Sequence, residues 1–140
     1  MKIGDCKPAP TVVHWDDNCA ADDIKGKMVV GIEGLEVGSE RFDFTLSDGS
    51  VFTMIYHHDC CASCEVNEVI GDPADLIGAP MVMSEEVSKE SKEGDKYSGS
   101  SETWTFYKFA TVKGYVTVRW YGSSNGYYSE EASMHLTVQQ

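Results

Sequence analysis

RFDFTLSDGSVFTMIYH, residues 41–57, alternates apolar and polar side chains on either side of a turn dipeptide. Phe42, Phe44 and Leu46 share one parity and Arg41, Asp43 and Thr45 the other, the pattern of a half-buried strand. Asp48-Gly49 has the form of a two-residue hairpin turn, the glycine supplying positive φ. A turn centred there predicts Leu46 opposite Val51, Phe44 opposite Thr53 and Phe42 opposite Ile55. It also puts His57 on the core-facing parity and His58 on the other.

The same signals repeat outward from this hairpin. MVVGIEGLEV, residues 28–37, reads as a strand in which Gly31 and Gly34 mark a bulge or a close backbone approach. CEVNEVIGDPADLIGAPMVMSEEV, residues 64–87, reads as strand, turn, short helical or looped segment, and strand. Asp72-Pro73 opens the turn and Gly78-Ala79-Pro80 closes the segment. SKESKEGDKYSGSSE, residues 88–102, is polar and rich in serine, and is predicted to be a mobile loop. TWTFYKFATV and YVTVRWYG, residues 103–112 and 115–122, form a second hairpin through Lys113-Gly114. Trp104, Phe106 and Ala110 share one parity, and Val116, Val118 and Trp120 share one face of the next strand. Asn125-Gly126 signals another turn, and SMHLTV closes the chain as a strand.

Seven or eight strands with closely spaced turn signals, and no helix-length amphipathic period, predict an all-β fold. The architecture expected is an antiparallel sandwich or partly open barrel with room for one short helix. Residues 1–27 read as an irregular acidic arm with a helical turn at Asp22–Lys25, stopped by Gly26, and with Val12, Val13 and Trp15 docking it. Residues 28–140 read as a single β-domain.

Twenty-three acidic residues against eleven basic ones give a formal charge of −12. Such a charge repels nucleic acid and anionic membrane, so the partner expected is a protein, basic or itself nucleic-acid-binding. No stretch approaches the roughly 20 apolar residues of a membrane helix. The start, MKIGDCKPAPTVV, lacks the apolar centre of a signal peptide. Of the five cysteines, Cys6, Cys19, Cys60, Cys61 and Cys64, two are adjacent and point to opposite faces of an extended chain. They are expected to be reduced thiols in a reducing compartment.

Two constellations carry candidate chemistry. YHHDCCASCE, residues 56–65, holds His57, His58, Cys60, Cys61 and Cys64, ligand types suited to zinc. Strand alternation splits His57 from His58 and Cys60 from Cys61, so at most half the set converges. A cysteine nucleophile is disfavoured because Asp59 and Glu65 raise a thiol pKa. No catalytic residue and no cofactor are therefore expected, with zinc on this set as the alternative. RWYGSSNGYYSE, residues 119–130, gathers Arg119, Tyr121, Asn125, Tyr127, Tyr128 and Glu130 around a turn. Arg and Tyr dominate binding hot spots, so these six form the candidate binding surface. The competing role is cross-strand packing that fixes the sheet.

VVGIEGLEVGSERFDFTLSDGS, DCCAS, IGDPADLIGAP, SEEVS, TWTFYKFATVKGYVTVRWYG and SNGYYSE together resemble a family of small tailed-phage and prophage proteins of unknown function. The resemblance covers roughly Gly26 to Leu136. Ala62 stands where that family has an acid after the paired cysteines, and Cys64 where an aliphatic residue is common. The resemblance implies an origin in a phage or its host, and expression in the cytoplasm of the bacterial host. With the charge and the aromatic turn, it implies a non-enzymatic accessory protein that binds a host or phage macromolecule, inhibition of a host defence or nucleic-acid-handling protein being one form. A Cys/His metal- or small-ligand-binding domain with potential enzyme activity, and a minor virion component, are the alternatives.

Overall fold

A computed structural model describes residues 18–57, 62–93, 101–124 and 130–138. Among these residues the fold is all-β. Eight strands, β1 (Val29–Glu33), β2 (Arg41–Leu46), β3 (Ser50–Ile55), β4 (Ala62–Ile70), β5 (Met83–Glu93), β6 (Ser101–Thr111), β7 (Gly114–Ser124) and β8 (Ser133–Val138), form two separate sheets. The first has the order β1-β2-β3-β8 and the second β4-β7-β6-β5, all pairs antiparallel. This is a sandwich rather than a barrel. No helix among the described residues is long and apolar enough to cross a membrane.

The β2–β3 hairpin forms where the sequence places it, one residue out of the predicted register. Phe44 faces Phe52, Phe42 faces Met54 and Arg41 faces Ile55. The loop holds three residues, Ser47, Asp48 and Gly49, with Gly49 at φ +91° and its N–H bonded to the Leu46 carbonyl. A turn closed by a left-handed glycine adds the extra residue. The Asp48 carboxylate fastens it by accepting from the Ser50 N–H at 2.9 Å. Because strand side chains alternate, the slip moves Ile55 and His57 to the outer face. Phe52, Met54 and Tyr56 take the core instead.

Phe109 of β6 is the hinge of the core. Its ring meets Phe44 at 5.2 Å and 78°, and Phe42 and Phe52 at 6.4 Å, all near edge-on. Trp120 of β7 stacks on Phe42 at 6.0 Å. Edge-to-face pairs add about 0.5–1.5 kcal/mol each beyond area burial, so the two sheets are locked through these rings.

Two boundaries differ from the sequence reading. Residues 88–93 and 101–102, predicted as loop, are strand, since β5 pairs with β6 as far as Glu93 opposite Ser101. Backbone pairing to one neighbour needs no apolar side chain, and solvent faces of edge strands are polar. Residues 18–27, assigned to an irregular arm, are built into the body. Asn18 bridges His135, and a 3-10 turn at Ala21–Ile24 buries Ile24 completely. Val12, Val13 and Trp15 lie outside the described residues. A second 3-10 turn, Pro73–Leu76, is capped by the Asp72 carboxylate and drives Leu76 into the core. The β6–β7 turn is Val112-Lys113, one residue before the predicted dipeptide, with Thr111 opposite Gly114.

Candidate functional site

The outer face of the second sheet sets aromatic and charged side chains in aligned rows. β7 buries Val116, Val118 and Trp120, so alternation turns Tyr115, Thr117, Arg119 and Tyr121 outward. β6 buries Thr105, Tyr107 and Phe109, so Trp104 and Phe106 also face outward. Register then aligns rows across four strands. One row runs Glu65, Tyr121, Trp104, Glu90, and the next Glu68, Arg119, Phe106, Ser88. The Trp104 and Tyr121 rings lie 5.3 Å apart at 47°.

This aromatic patch is partly exposed and framed by acid. Glu65, Glu68, Glu85, Glu90 and Glu102 share the face, against Arg119 and Lys108 among residues whose side chains are described. Both cations are engaged locally. The Arg119 guanidinium donates to Asn67 Oδ1 at 2.7 Å and reaches Glu68 at 3.5 Å, while Lys108 Nζ sits 4.5 Å over the Tyr115 ring. Tyr121 Oη donates to Glu102 at 2.8 Å, which holds the phenol pKa above its ordinary value. The result is a partly exposed aromatic platform in a negative field.

Of the candidate binding residues, Arg119 and Tyr121 belong to this platform. Glu130 does not; it lies over the inner face at the end of the sandwich. Its carboxylate accepts from the hydroxyls of Ser101 and Ser124, and from Thr103 at 2.7 Å. Burial pushes the Glu130 carboxyl up, but the three hydroxyl donors outweigh it and leave the group below its ordinary value. Gly122 makes room for this seat: a Cβ there would collide with the Glu130 carbonyl oxygen and come 2.8 Å from the Glu130 Cβ. Asn125, Tyr127 and Tyr128 lie outside the described residues.

The Cys/His set is dispersed. Cys64 is buried on the inner face of β4 opposite Gly122, and burial, with nearby Glu131, pushes its thiol up to about 12. Such a thiol is neither a nucleophile nor a ready ligand. His57 meets instead His135 of β8, the two Nε2 atoms 2.9 Å apart. The ring centres lie 5.1 Å apart, nearly the full reach of two rings meeting head-on. That is the geometry of an N–H···N hydrogen bond. His58, Cys60 and Cys61 lie outside the described residues, and no three potential ligands converge among the described ones.

Trp104, Phe106 and His135 were missed as site residues. In TWTFYKFAT both parities carry aromatics, so the sequence does not say which side is buried. The signal lies in the neighbouring strand, where only one parity of β7 is aliphatic. His135 sits between Met134 and Leu136, whose parity assigns it to the opposite face.

No curated protein and no solved structure matches the chain. A family model does. The match begins at Asp22 within the first 3-10 turn and ends at Met134 in β8, so it spans both sheets. On this match over residues 22–134, the chain belongs to the family Domain of unknown function (DUF7448).

Proposed function

We propose that this is a small, acidic, phage-encoded accessory protein that acts by binding rather than catalysis in the cytoplasm of the bacterial host. It engages a basic, or nucleic-acid-binding, protein through the outer face of its second sheet and so obstructs that protein's work. The observation carrying this reading is the Trp104–Tyr121 pair, partly exposed on long paired strands and ringed by five glutamates. Aromatic side chains on rigid elements give contact area at little entropic cost, and the acid rim steers a basic partner.

The test is capture of a partner from bacterial lysate, followed by titration of that partner with variants. Trp104→Ala is expected to weaken binding by about tenfold or more, the effect of truncating an aromatic anchor. Raising salt is expected to slow association. Undiminished affinity of the Trp104→Ala and Tyr121→Ala proteins would overturn the assignment of this face.

A second reading, a metal- or small-ligand-binding domain, draws on one observation. The His57 and His135 nitrogens lie 2.9 Å apart, and His58-Asp59-Cys60-Cys61 follow in sequence. Elemental analysis of protein purified without chelator separates the two. A zinc-to-protein ratio near zero removes the metal reading, whereas stoichiometric zinc lost on His135→Asn establishes it.

A further inference from the structure

β5 is the end strand of the second sheet and runs for eleven residues, Met83–Glu93. One side pairs with β6 along its length. Among the described residues no strand pairs with the other side. Residues 85–91 are exposed in succession, on both faces of the strand. Unpaired N–H and C=O groups along such an edge form a template for a further strand.

Two features decide what that strand can be. First, β5 is guarded against flat self-pairing. It carries a bulge between Glu86 and Ser88 and a run of charge. Lys89 is held by Glu131 at 2.6 Å, so among the β5 side chains that are described Glu85, Glu86 and Glu90 set the sign of the edge. Second, a cavity of about 540 Å³ opens where β5 begins, between the first 3-10 turn, β5 and β8. Val82, Met83 and Met134 give it an apolar floor, and Asp22, Glu85 and Glu86 outnumber Lys25 at its rim. Methionine floors adapt to differently shaped side chains. A cavity of this size accepts one large apolar group.

We propose that the β5 edge takes an extended, basic segment of a partner protein as an added strand, with one apolar side chain seated on Met83 and Met134. Backbone pairing supplies affinity, and the acidic edge with its pocket supplies selection for alternating Lys or Arg and aliphatic residues. The site shares Glu85 and Glu90 with the rim of the Trp104 face but uses neither Trp104 nor Tyr121, so the loss of those rings leaves it intact.

The experiment is amide hydrogen exchange on the whole chain with a short alternating Lys-Val peptide, and a Glu-Val peptide as control. At Lys-Val peptide about ten times its Kd, exchange within residues 85–91 is expected to slow about tenfold. The effect is expected to vanish with the Glu-Val peptide and in the Asp22→Lys/Glu86→Lys protein, both changes being on exposed residues. It is expected to persist in Trp104→Ala. No slowing, slowing confined to the Trp104 and Tyr121 segments, or equal slowing by both peptides would overturn the proposal. Slowing without peptide that grows with protein concentration would overturn it too, since the occupant would then be a second copy of the chain.

Discussion

Phe109→Ala will cost about 3–5 kcal/mol of folding stability, while Phe106→Ala, on the same strand, will cost about 1 kcal/mol or less. The two rings differ in one respect only, the side of β6 on which alternation places them. Phe109 is fully buried and touches Phe42, Phe44 and Phe52 of the opposite sheet. Removing it leaves a cavity at the point where three edge contacts join the sheets, and three rings cannot all move to fill it. Phe106 lies beside Arg119 on the outer face, partly in water. Small domains hold only about 5–15 kcal/mol in total, so the first change takes a large fraction of the stability. Urea unfolding midpoints of the two variants measure the difference. Equal losses would mean that β6 is inverted.

Gly122→Ala will cost about 2–3 kcal/mol, far more than one methyl group on a strand usually does. The added carbon cannot fit beneath Glu130, so that segment must lift. Lifting breaks the carboxylate's bonds to Ser101, Thr103 and Ser124 together. The loss carries a pH signature whose sign is fixed. The folded carboxyl is held below its ordinary value, so its contribution is complete above the unfolded pKa. It disappears as pH falls through the depressed folded value. The native protein therefore loses stability on acidification that the variant has already lost. Thermal melts at neutral pH and through the carboxylate range will show the gap narrowing with acid. A gap independent of pH would show that Glu130 stays seated.

The sequence made some of this legible and hid the rest for definite reasons. Phe42, Phe44 and Leu46 announce β2 because one face of the strand is dry and the other wet. Pairing register is not announced, since Asp48-Gly49 serves two-residue and three-residue loops alike. Only the pairing, with Thr45 opposite Val51, reveals the extra loop residue. That one residue moved His57 from the core to a partnership with His135. β5 beyond Val87 was hidden because an edge strand in water has the composition of a loop. Parity places only part of the candidate surface, for a similar reason. Arg119 and Tyr121 follow from the aliphatic parity of β7, but Glu130 follows a turn, and parity does not carry across a turn.

The placement of β8 has a consequence for how the molecule is made. The second sheet is contiguous in sequence, β4 to β7, and can close as it leaves the ribosome. The first sheet cannot, because Thr53 waits for His135, which follows the whole of the second sheet in sequence. Its third strand keeps an open edge until β8 has been made, and bringing such distant segments together is slow. Until β8 arrives, the β3 edge of the nascent chain is open to pairing with other strands.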